Sequence, residues 1–175
     1  VSEGIILKLE PGVTLKFDAE IGLYIEGELI ANGDNSNQII FTSNQSNPAA
    51  GDWGPLVYSE GSTNANFVDN DYIDGSILKY CIIEYGNGVK LYNHPFINNC
   101  TIRYNSDRAI RFYNSQSETK LITNCTIHNN AGGISGSGSP ATFIISYNHI
   151  YNNGITDNYN DGAGINASSA TISHN

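Results

Sequence analysis

Apolar and polar positions alternate with period two over short runs, and the runs recur. Cys81-Ile82-Ile83-Glu84-Tyr85-Gly86 aligns with Cys100-Thr101-Ile102-Arg103-Tyr104-Asn105 and with Cys125-Thr126-Ile127-His128-Asn129-Asn130. Two further copies are Asn148-His149-Ile150-Tyr151-Asn152-Asn153 and Ala170-Thr171-Ile172-Ser173-His174-Asn175, giving spacings of 19, 25, 23 and 22 residues. Such alternation marks a strand with one buried face. Positions one and three, the latter always Ile, are expected to point inward, and positions two and four outward. Gly or Asn at position six is expected to end each strand, because both tolerate positive φ.

Further apolar pieces separate the copies: Ile77-Leu78, Val89–Leu91, Phe96-Ile97, 110–112, Leu121-Ile122, Ile134, 143–145 and Ile165. Two or three strands in each interval predict an all-β solenoid, a parallel β-helix with coils of roughly 20–25 residues. Like residues then stack at about 4.8 Å, the ordinary strand spacing. A leucine-rich repeat shares the interval, but the segments here are rich in Gly, Ser and Asn and carry no helical period. Residues 1–58 read as earlier coils of the same solenoid, with strands at 5–9, 13–17, 23–25, 29–31, 39–42 and 56–58. Residues 59–76 are strand-poor and read as a protruding loop, and residues 77–175 hold the regular copies.

Leu9-Glu10-Pro11-Gly12-Val13-Thr14-Leu15-Lys16-Phe17, Gly22-Leu23-Tyr24-Ile25-Glu26-Gly27-Glu28-Leu29-Ile30-Ala31-Asn32-Gly33, Ile39-Ile40-Phe41-Thr42-Ser43 and Gly51-Asp52-Trp53-Gly54 occur in this order. Together they resemble the opening coils of right-handed parallel β-helix repeat proteins of the pectate-lyase-like superfamily. The Asn-Cys-Thr-Ile-x-x-Asn copies resemble its repeats. The resemblance implies a right-handed single-domain β-helix. It also implies a secreted or cell-surface setting, polysaccharide as the ligand class, and a longer parent protein of which 1–175 is a part. A shared fold does not fix an activity.

Composition agrees: Asn, Gly, Ser and Tyr are abundant, a poor recipe for helix and a good one for short strands and tight turns. Residues 1–80 hold twelve acidic and three basic side chains, a balance of −9, whereas 81–175 hold five of each. An acidic, lysine-poor chain lacks the basic patch that nucleic acid requires. No run approaches the roughly 20 apolar residues of a membrane-spanning helix. Cys81, Cys100 and Cys125 share the inward position with core Ile, which predicts buried thiols rather than disulfides or a zinc site.

Candidate chemistry is sparse. The fourth-position column Glu84, Arg103, His128, Tyr151 and Ser173 is expected to form an outward row. Glu84, Arg103, His128 and Tyr151 are the carbohydrate-binding candidates, with Tyr151 expected to stack on a sugar. The bland alternative is a solvated face in which Glu84 and Arg103 pair across strands. Lys90, Asp107, Arg108 and Arg111 suggest the base and cations of a polysaccharide lyase, but the neighbouring coils lack a carboxylate cluster to hold calcium, and ordinary surface positions also account for the arginines. Glycoside hydrolysis needs two facing carboxylates, and no pair stands out. The loops 157–162 and 69–75 resemble calcium loops imperfectly, so Ca²⁺ is the only cofactor suggested. The four histidines occupy different repeat positions and are not expected to converge. The reading is a non-catalytic extracellular module, a rod, adhesin or self-assembling unit that binds glycan. The alternative is a lyase-like carbohydrate-active enzyme. Uncovered coil ends would also pair with another copy, giving head-to-tail assembly.

Overall fold

The computed structural model describes residues 1–113, 120–136, 143–154, 164–167 and 170–175, and none of these is helical. The chain winds through three parallel sheets in turn. The first coil is β1 (Ile6–Leu9), β2 (Thr14–Phe17) and β3 (Leu23–Ile25), and the second is β4 (Glu28–Asn32), β5 (Ile39–Ser43) and β6 (Leu56–Tyr58). A hairpin, β7 (Asn66–Val68) and β8 (Asp71–Asp74), interrupts the winding. The third coil is β9 (Ile77–Lys79), β10 (Cys81–Glu84) and β11 (Val89–Leu91), and the fourth is β12 (Phe96–Asn98), β13 (Thr101–Arg103) and β14 (Arg108–Phe112). The fifth is β15 (Lys120–Thr123), β16 (Thr126–His128) and β17 (Gly132–Gly136), and the sixth is β18 (Phe143–Ser146), β19 (His149–Tyr151) and β20 (Ile165–Ala167). β21 (Ala170–Ser173) begins another turn. The first sheet runs β1-β4-β9-β12-β15-β18-β21, the second β2-β5-β10-β13-β16-β19 and the third β3-β6-β11-β14-β17-β20.

Register follows the sequence pattern. In the second sheet Leu15, Phe41, Ile83, Ile102 and Ile127 stack in order, with Ile150 above them. Phe41, Ile83, Ile102 and Ile127 are fully buried, each worth roughly 1.5–3 kcal/mol of transfer free energy. The three cysteines are free and buried in the same core. A hydrogen bond with the Cys100 thiol, followed by burial, pushes the Cys81 thiol well up, and burial pushes Cys125 well up. Both stay protonated near neutral pH, as inert core thiols do.

Three expectations change. The fifth copy is not in register with the cysteine copies: β21 stacks on β18, pairing Ala170 with Phe143 and Ser173 with Ser146. Asn175, not Ala170, takes the place of Cys125 and Asn148, and its Oδ1 accepts the Asn148 N–H at 2.9 Å. The slip has a physical cause. In the sixth coil both corners are Ile-x-x-Asn, Ile145–Asn148 and Ile150–Asn153, so the motif alone does not say which corner Ile172–Asn175 forms. Ser173 therefore leaves the outward column of the second sheet.

The positive φ also falls one residue earlier than expected. Tyr85, Tyr104, Asn129 and Asn152 at position five adopt it, between 51° and 63°. Position six instead turns inward, where Asn105, Asn130 and Asn153 are buried. Asn130 shows the arrangement. Its Nδ2 donates to the carbonyls of Ile102 (2.9 Å) and His128 (3.1 Å) and to Asn153 Oδ1 (3.0 Å). Its Oδ1 accepts from Asn105 N (3.1 Å) and Nδ2 (2.8 Å). An interior amide that accepts from the preceding coil and donates to both neighbouring coils satisfies backbone groups that the corner would otherwise orphan. The ladder ends at Gly86, whose N–H donates to Asn105 Oδ1 at 3.0 Å. A side chain there would overlap the Trp53 ring. Trp53 is itself buried, stacks on Phe17 and donates its indole N–H to the Glu84 carbonyl at 2.9 Å.

Residues 59–76 are not strand-poor. Asp69 and Asn70, with φ of 51° and 73°, form the two-residue turn of the β7–β8 hairpin, a geometry that suits right-twisted strands. Phe67 and Tyr72 pack on Phe96, anchoring the hairpin to the outer face of the first sheet.

Candidate functional site

The structure brings Glu84, Arg103, His128 and Tyr151 into one register-aligned column on the outer face of the second sheet. Four successive strands give a row of about 14 Å at the usual spacing. Thr42 extends it below Glu84. The four residues are not equivalent. Glu84 is buried, accepts from Thr42 Oγ1 at 3.0 Å, and takes both Arg103 Nε and Nη2 on Oε2 at 2.8 Å. It is a strut between coils, the cross-strand pair expected of ladder neighbours. Its low exposure makes this pair stronger than an ordinary surface ion pair.

Above it the column is aromatic. Arg103 lies 5.7 Å from the Tyr104 ring centre, and Tyr104 packs edge-on against His128. His128 and Tyr151 are parallel, with centroids 5.0 Å apart, and His149 leans on Tyr151 at 4.5 Å. His128 and His149 thus both touch Tyr151, because His149 and Tyr151 share an outward face two residues apart and Tyr151 stacks in register over His128. Tyr85 and Tyr104 form a parallel pair beside the column. Sequence reasoning omitted Tyr85, Tyr104 and His149. The recurring Tyr-Gly and Tyr-Asn at positions five and six was the signal for the first two.

Stacking also alters the expected role of Tyr151. His128 and Tyr151 lie ring against ring along the solenoid axis, so their facing sides are covered and the row presents ring edges, a hydroxyl and imidazole nitrogens. Such a row offers hydrogen-bonding groups repeated at the strand spacing.

The lyase candidates sit on the third sheet. Lys90 and Arg111 are register partners. Asp107 holds Lys90 at 3.7 Å and Arg108 at 3.6 Å. Arg111 lies 4.8 Å over the Tyr113 ring, and Tyr113 stacks on Tyr92. Arg108, Arg111, Phe112, Ser135, Gly136 and Asn166 line a concavity of about 190 Å³. A wider cleft of about 480 Å³ is acidic, with Glu3, Glu26 and Glu60 around Ser59, Gly61 and Tyr92.

Among the described residues, no group of three or more His, Cys, Asp or Glu side chains is placed to hold a metal ion. In the loop 69–75, Asp69 forms the hairpin turn and Asp74 accepts a hydrogen bond from Asn66. The loop 157–162 lies outside the described residues. No described helix is long and apolar enough to cross a membrane.

No curated protein matches the chain. No solved structure matches it either. The family description of a right-handed β-helix region matches residues 22–175. With its three stacked parallel sheets, the chain belongs to the family of right-handed β-helix regions.

Proposed function

We propose that this β-helix is a non-catalytic module of a secreted or cell-surface protein, a stiff rod that binds linear polysaccharide along the second sheet. The observation that supports this most is the register-aligned row of Arg103, His128 and Tyr151, whose polar tips repeat at the strand spacing. An extended glycan repeats its hydroxyls at a similar interval, so each coil meets an equivalent sugar. The interior favours a rod: the asparagine ladder links coil to coil by side-chain and backbone bonds, and the core is one continuous cluster.

The test is a binding screen against neutral and acidic polysaccharides, with ultraviolet absorbance of unsaturated uronate recorded on the same samples. Binding without product, weakened by Tyr151→Ala or Arg103→Ala, is the expected result. Loss of two or three hydrogen bonds predicts a drop of roughly tenfold or more. Absence of binding to every polymer would refute the reading. Unsaturated product would replace it with the lyase alternative, which draws on Lys90, Arg108 and Arg111.

A further inference from the structure

The concavity on the third sheet stands out against the charge of the chain. The protein carries a formal net charge of −9, yet this hollow is lined by two arginines and, among the described residues, by no carboxylate. Asp107, which precedes Arg108, is engaged with Lys90 and Arg108. Arg111 makes no ion pair or hydrogen bond with any described residue. Among the described residues its guanidinium lies over the Tyr113 ring at 4.8 Å. Cation–π contact fixes a guanidinium by its face and leaves its N–H edges for another acceptor. Tyr113 is itself held by the stack on Tyr92, with ring planes 10° apart. Register then places the Ser135 hydroxyl one strand above Arg111 and the Asn166 amide one strand above Ser135.

We infer that this hollow is an oxyanion site that takes a tetrahedral sulfate or phosphate group. Arg111 supplies the charge and paired N–H donors, and Ser135 and Asn166 supply neutral donors. The donors lie on three successive strands, about 4.8 Å apart, rather than in one plane. A group with several terminal oxygens meets such a set better than a planar carboxylate, which a single guanidinium saturates. A free anion and an ester on a larger molecule share this chemistry. The site lies on a different sheet from the glycan row and does not depend on it.

The test uses the whole chain and four probes: inorganic sulfate, inorganic phosphate, dextran sulfate and unsulfated dextran. Titration calorimetry at physiological salt should show saturable binding of dextran sulfate and none of dextran at this site. Arg111→Gln should weaken binding about tenfold, the usual effect of losing a charge-assisted bond. Lys8→Gln on the exposed face of the first sheet should leave it unchanged. Competition by inorganic sulfate or phosphate at comparable concentration per site assigns the hollow to free anions, and competition only at large excess assigns it to esters. Equal binding by the native chain and Arg111→Gln, with circular dichroism unchanged, overturns the proposal. So does the failure of all three anionic probes to bind. If Arg111→Gln unfolds, Ser135→Ala carries the same comparison.

Discussion

Replacing Asn130 with Ala removes the central rung of the interior ladder while leaving the apolar core intact. The side chain is fully buried and makes five hydrogen bonds. Their loss is unequal. Asn105 Nδ2 keeps the carbonyls of Ile83 and Arg103, and Asn153 Oδ1 keeps the Asn130 backbone N–H. The Asn105 backbone N–H, whose acceptor is Asn130 Oδ1, is left buried and unpaired. An orphaned buried donor costs about 1–3 kcal/mol, and each further net bond about 1 kcal/mol. The expected loss is therefore about 3–5 kcal/mol, a large share of a domain's stability. Urea unfolding followed by circular dichroism measures it, with the exposed Asn35→Ala as control, expected within about 0.5 kcal/mol. Asn130→Asp should be worse, because it replaces an NH2 donor with a buried charge facing two carbonyls. A loss below about 1 kcal/mol for Asn130→Ala, indistinguishable from the control, would show that the ladder is decorative.

Other outcomes follow from the same interior. Tyr58 is buried, its hydroxyl has no hydrogen-bond partner among the described residues, and burial pushes its phenol well up. Tyr58→Phe should therefore be neutral or raise stability by about 1 kcal/mol in the same assay, and a clear loss would mean that the hydroxyl is satisfied. Gly86→Ala forces a methyl into the Trp53 ring and should cost about 1–3 kcal/mol, with a red-shifted Trp53 emission if the indole is displaced. The Ala49 N–H, and then the Ser43 hydroxyl, hold the Asp52 carboxyl below its ordinary range. The folded value is thus lower than the unfolded one. The stabilisation is complete above about pH 4 and is lost as pH falls through the folded value. Asp52→Asn should flatten the acid limb of a plot of Tm against pH and leave its slope above pH 5 unchanged.

The repeat, the inward cysteines and isoleucines, and most strand positions were legible in the chain because period-two alternation reports directly which face is buried. Thr42, Glu84 and Arg103 illustrate where that legibility stops. Position four announced an outward face, but only stacking showed that Glu84 is enclosed by neighbours from coils 42 and 19 residues away in the chain. The Ala170 copy was misplaced because Ile-x-x-Asn forms both corners of the preceding coil, at Ile145–Asn148 and Ile150–Asn153, and the local pattern does not say which corner it is. The hairpin at residues 66–74 was missed because its strands are short and its turn, Asp-Asn, lacks the usual glycine. Nor could Arg111 be told from Arg108 by sequence. One is matched by Asp107 and the other is left over a tyrosine, a difference set by side-chain reach across adjacent strands.

What the sequence determined alone is the solenoid and its inside-outside register, since both depend on residues near one another in the chain. What tertiary structure decided is which outward groups meet. Parallel stacking places residues some twenty positions apart at strand spacing, and only that proximity turns Glu84 into a strut, His128 and Tyr151 into a row, and Arg111 into a cation aimed at solvent.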